Sequence, residues 1–133
     1  MPYATAYRVK LANHLFMNAA LAQLSTIYLG VSTASPGLDG AGLAEPVGGA
    51  YARVATTAGD WTVDAAGAIT NANTETFPQA TAGWGSLTYA VIFDAPTGGS
   101  ILAYGALTVA KTINNLDTCR FPAGELDLVW TGT

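Results

Sequence analysis

The 133-residue chain should fold mainly as antiparallel β-structure, a jelly-roll-like β-sandwich, with one α-helix at its N-terminal end. Three features carry this expectation. After residue 26, short runs rich in Val, Ile, Thr and aromatic residues alternate with Gly, Pro, Asn and Asp punctuation. Only one long stretch, near the start, has helical spacing. Half of the residues are hydrophobic and 11% are charged, against roughly 25% charged in an average soluble protein, so the chain can bury one domain's core.

The helix is expected from about Ala6 to Ala20. Tyr7, Leu11, Leu15 and Met17 fall near one face, and Thr5 is placed to cap the first turn. The first strand is Thr26–Val31, ended by Ser35-Pro36-Gly37. A glycine-rich loop follows over 36–50, with Asp39 and Glu45 its only charges. Loops of that size are uncommon in a compact domain and usually serve function or an interface. Next come strands at Tyr51–Ala55, Trp61–Val63 and Ala68–Thr70, with Asp64-Ala65-Ala66-Gly67 as a turn, then Thr74–Phe77, stopped by Pro78. Ser86–Phe93 is the clearest strand: Leu87, Tyr89, Val91 and Phe93 should share one face, and Thr88, Ala90 and Ile92 the other. Asp94–Gly99 turns the chain into Ile101–Leu107. Strands at Lys111–Ile113, Thr118–Phe121 and Leu126–Trp130 complete eight to ten. The chain divides into a helical segment, 1–25, and a β-sandwich domain, 26–133. No internal repeat is apparent.

The formal charge is −4 and the isoelectric point is near 4.5, with no basic stripe for a nucleic acid. The longest apolar stretch, Leu11 to Val31, is too interrupted by polar residues for a membrane span, and the first residues do not read as a signal peptide. So neither nucleic acid nor membrane is an expected partner. The weakly charged surface tolerates close neighbours, which suggests assembly. Cys119, the single cysteine, excludes an intrachain disulfide, and alternation puts it beside Phe121 on the inward face.

Catalytic chemistry finds little support. His14, the only histidine, lies in the expected helix, far in sequence from any serine or cysteine it could activate. One histidine and one cysteine do not make a zinc site, and Asp60 and Asp64 lack calcium-loop spacing. Nothing brings Asp60/Asp64 together with Glu125/Asp127 as a glycosidase pair. Gly37–Gly42 meets neither a dinucleotide fingerprint nor a P-loop. No cofactor, metal or catalytic residue is therefore expected. Trp61, Trp84, Tyr51 and Tyr89 lie near loops, and Trp61, Trp84 and Tyr89 are the candidate glycan platform, although large rings more often fill cores or interfaces.

Several segments, in order, resemble a family of small tailed-bacteriophage virion proteins, of tail-fibre-like or head-decoration type. They are Tyr28–Pro36, Glu45–Val54, Phe77–Gly85, Phe93–Gly105 and Phe121–Leu126. The chain departs from that pattern at Asn114-Asn115-Leu116-Asp117, where a glycine is expected in the turn, and in having Cys119. The resemblance implies a non-enzymatic structural role in a virion whose proteins are made in the host cytoplasm.

Two functions follow as expectations. The first is a capsid decoration, or cement, protein that binds the major capsid protein and copies of itself as a dimer or trimer. Its contacts would be Tyr7, Leu11, Leu15 and Phe16 on the helix and Gly48, Gly49, Tyr51 and Arg53 in the loop; the alternative for the helix is that it covers its own sandwich. The second is a tail-fibre or tail-tip module binding host-surface glycans. A carbohydrate-active enzyme is remote.

Overall fold

The computed structural model describes residues 4–21 and 24–128. It is mainly β, with antiparallel sheets and one α-helix, α1 (Thr5–Phe16). The strands are β1 (Ile27–Ser32), β2 (Val54–Thr56), β3 (Trp61–Val63), β4 (Ile69–Asn71), β5 (Glu75–Thr76), β6 (Gly85–Phe93), β7 (Ile101–Ile113), β8 (Arg120–Phe121) and β9 (Asp127–Leu128). They form a four-stranded sheet in the order β2-β1-β6-β7, a three-stranded sheet β3-β4-β9 and the pair β5-β8. One buried core lies on the large sheet: its Leu29, Val31, Leu87 and Ile92 meet Phe77, Trp84, Phe121 and Leu126. A jelly roll's two four-stranded sheets are not formed among the described residues.

The opposite face of the large sheet is covered too. Ala4, Val91, Phe93 and Ile101 form a second buried cluster, with Tyr28, Leu43 and Tyr104 packed against it. Strict alternation along β6 therefore fails. Leu87 joins Ala90 and Ile92 in the main core, whereas Val91 and Phe93 face the second cluster. The cause lies in β7. Leu87 pairs with Lys111 but Tyr89 pairs with Ala106, so residues 107–110 stand opposite Thr88 alone. This bulge resets which side each following residue faces. It also joins the expected Ile101–Leu107 and Lys111–Ile113 strands into one.

The helix is shorter than its spacing suggests. Asn18 takes a left-handed conformation (φ 55°), and the N–H groups of Met17 and Ala19 both donate to the Asn13 carbonyl at 2.9 and 3.1 Å. Such a left-handed residue ends a helix while satisfying its last carbonyls. Thr5 is not the cap either: Ala4 occupies that position without a side-chain bond. Backbone contacts anchor the entry instead, with Ala4 N–H donating to Leu102 at 2.8 Å and Thr5 N–H to Leu38 at 2.9 Å.

Other boundaries shift for local reasons. The strand expected at Tyr51–Ala55 pairs only from Val54, because the chain leaves three successive left-handed residues at Gly48, Gly49 and Ala50. The strand near Thr118 shrinks to two residues, and the one near Leu126 begins at Asp127, with Val129 and Trp130 outside the described residues. In the turn at 114–117 it is Leu116 that adopts positive φ (72°), the place where a glycine would sit without strain. Asp64 closes its own turn by accepting the Ala66 and Ala68 N–H groups, and Asp94 accepts the Ser100 N–H across the β6–β7 loop. Cys119 and Phe121 are both buried, as alternation requires.

Candidate functional site

The loop contacts expected at Tyr51 and Arg53 turn inward. Arg53 donates from Nε and Nη2 to the two oxygens of Glu45 at 3.0 and 2.6 Å, a bidentate pair. Its Nη1 donates to the carbonyls of Ala95 and Gly98 at 2.8 and 2.9 Å, and the guanidinium lies 3.3 Å from the Phe93 ring centroid. One side chain thus ties the glycine-rich loop, the β6–β7 loop and the large sheet together. The Tyr51 hydroxyl donates to Glu45 at 2.6 Å and accepts the Val31 N–H at 3.1 Å. Burial, and then the bond to Glu45, push its phenol well above the usual range, so it stays a donor. Gly30 makes room for this node: a Cβ there would come within 2.7 Å of the Phe93 ring and 2.8 Å of the Tyr51 hydroxyl.

The glycines divide. The Gly49 carbonyl accepts the Trp84 Nε1–H at 2.8 Å and the Thr81 N–H at 3.0 Å, whereas Gly48 is exposed and a Cβ there would meet nothing within 4 Å. Glu45, which the sequence reading treated only as a loop charge, is the acceptor that unites Tyr51 and Arg53. One of only two acids in a loop without a base, eight residues before an arginine, was the available signal. Beside this node lies a cavity of about 390 Å³, lined by Ala4, Leu43 and Ile101 with Asp39, Glu45 and Arg53.

The three candidate platform rings are not brought together. Trp84 is 5% exposed and makes T-shaped contacts with Tyr51 and Phe77, so its ring belongs to the core. The sequence could not separate a loop-flanking tryptophan from a buried one. Trp61 is half-buried and donates from Nε1 to Thr56 at 2.9 Å. Tyr89 pairs with Tyr104, centroids 6.3 Å apart, and Tyr104 packs on the second cluster, across the sheet from Trp84.

The helix contacts split as well. Tyr7 packs against the core and Leu11 is half-buried, while Leu15 is 65% exposed and Phe16 83% exposed. Val9 and Met17, not among the expected contacts, are also open. The first two turns lean on the domain and the last turn does not. A groove of about 290 Å³ runs beside α1, lined by Tyr7, Lys10, Asn13, Leu21, Leu24 and Asp94. His14 donates from Nδ1 to the Ala19 carbonyl at 3.0 Å, which makes it part of the helix end.

Among the described residues there is no group of three His, Cys, Asp or Glu side chains able to hold a metal, and no helix is long and apolar enough to cross a membrane. Burial pushes the Cys119 thiol up to about 11, which leaves it protonated and unreactive at neutral pH. What the surface offers is a packed scaffold with an apolar helix end.

No curated protein matches the chain. The family described as "Podophage GP4 fiber I protein gp80" matches residues 2–129 of the 133. With nearly its full length matched, the chain belongs to this podophage fibre protein family, and so to the structural proteins of a phage virion.

Proposed function

We propose that the chain is a non-enzymatic structural subunit of the phage tail fibre, held in its assembly by the last turn of α1. The observation that carries this reading is the exposure of Leu15, Phe16 and Met17 at the end of a 12-residue helix. Isolated helices of that length are marginal in water, so an apolar end without cover is a contact surface. The family description supports a fibre, and the capsid-cement role expected from composition gives way to it. The burial of Trp84 and the separation of Tyr89 from Trp61 favour a structural part over a glycan-reading one.

The test is a Leu15→Ser/Phe16→Ser double variant produced during infection. The folded variant should keep the wild-type melting temperature and be missing from purified particles, and a gold-labelled antibody should mark wild-type particles at the tail. Labelling spread over the capsid shell would overturn the fibre assignment. Normal incorporation of the variant would overturn the role of α1.

A further inference from the structure

The charges of this chain are segregated along the sequence. Residues 1–38 carry Arg8 and Lys10 and no Asp or Glu; residues 54–110 carry Asp60, Asp64, Glu75 and Asp94 and no Lys or Arg. The ion pairs among the described residues are Arg53–Glu45 and Lys111–Glu125, so neither cation of α1 takes part in an ion pair with a described residue. Arg8 is half-buried, and its Nε has no hydrogen-bond partner among the described residues. A partly desolvated cation without a counter-charge is costly, and a carboxylate supplied from outside would offset that cost. Between Arg8 and Lys10 sits Val9, 53% exposed.

The complementary surface lies on the same molecule. Strand β3 is an edge of its sheet, and it carries exposed Thr62 and Val63, the latter 66% exposed, between Asp60 and Asp64. An apolar residue flanked by two acids on an edge strand answers an apolar residue flanked by two bases on a helix.

We propose that α1 of one copy docks on the β3 edge of a second copy, with Arg8 and Lys10 facing Asp60 and Asp64 and Val9 meeting Val63. The two surfaces differ, so the contact is heterologous. Repeated, it closes a ring or runs as a filament. The inference rests on α1 being the docking element, as proposed above.

Two variants of the full chain test it, each altering exposed positions only. One is Val9→Glu/Lys10→Glu, and the other is Thr62→Lys/Val63→Lys. Light scattering should show wild-type association that weakens about tenfold or more from low to high salt. Each variant alone should be monomeric where the wild type assembles, with its melting temperature kept. An equimolar mixture should associate again, because each altered surface then meets its opposite charge. Wild type that stays monomeric, a variant that assembles as well as wild type, or a mixture that fails to recover would each overturn the proposal. If the wild type is monomeric while Leu15→Ser/Phe16→Ser is still lost from particles, α1 docks on a different fibre protein, and only this inference falls.

Discussion

Asn71, 2% exposed, binds the C-terminal segment to the body of the protein. Its amide nitrogen donates to the carbonyls of Asn73, Phe121 and Pro122, and its Oδ1 accepts the N–H groups of Gly124 and Leu126. Replacing it by Ala strands several buried backbone groups at once. Asn71→Ala should cost about 2–4 kcal/mol, read as a lower midpoint in urea unfolding with an unchanged slope. Glu75 is the opposite case: 5% exposed, with its Oε1 unpartnered among the described residues. Burial, and secondarily the charge of Asp60, raise its carboxyl above the usual range. A carboxyl raised in the folded state binds its proton more tightly there than in the unfolded chain. Its contribution is therefore most favourable at acid pH and is lost as pH rises through the folded value. Glu75→Gln should raise the melting temperature at neutral pH, and the gain should vanish below about pH 4, where the unfolded carboxyl is protonated too. Neither residue stood out in the sequence. An Asn at the end of Ala68-Ile69-Thr70-Asn71 reads as turn punctuation, because all its side-chain partners but Asn73 lie some fifty residues away.

The glycine-rich loop is an element that the sequence located but did not interpret. Its length and composition suggested an outward surface, yet the chain uses it to bring Glu45 beneath Arg53 and Tyr51. The planar fork of Arg53 reaches two loops and an aromatic face simultaneously, which a lysine ammonium does not reproduce. Arg53→Lys should therefore destabilise the protein by about 2–4 kcal/mol and speed proteolysis within 36–50 and 94–99, checked by limited digestion and mass spectrometry. The helix was legible in kind because Tyr7, Leu11 and Leu15 share a face. Its end was not, since Asn18 stops it through a backbone conformation that apolar spacing does not encode. In β6 the alternation was plain, but its sense depended on a bulge in the partner strand. Pairing partners, unlike periodicity, are a property of the folded chain.

Across the whole molecule, protection from exchange should follow the layers. Amides of β1, β6 and β7 hold the sheet between two buried clusters and should exchange slowest. Those of the last turn of α1 should exchange quickly in the free chain and slow on assembly; hydrogen–deuterium exchange with and without high salt checks both. The mainly β architecture and the burial of Cys119 beside Phe121 were readable because they rest on composition and local alternation. The placement of Trp61, Trp84 and Tyr89 on two different sides of one sheet was not, because both faces are covered and each can take an aromatic ring.

Residues 107–110 of β7 return to register on either side of a single opposing residue, and Thr108, Val109 and Ala110 are exposed. A ladder that already accommodates surplus backbone at that spot has its hydrogen bonds closed above and below it. A short foreign peptide spliced between Val109 and Ala110 would thus be carried outward on a rigid base, which makes this bulge a natural mount for displaying epitopes or affinity labels along a fibre.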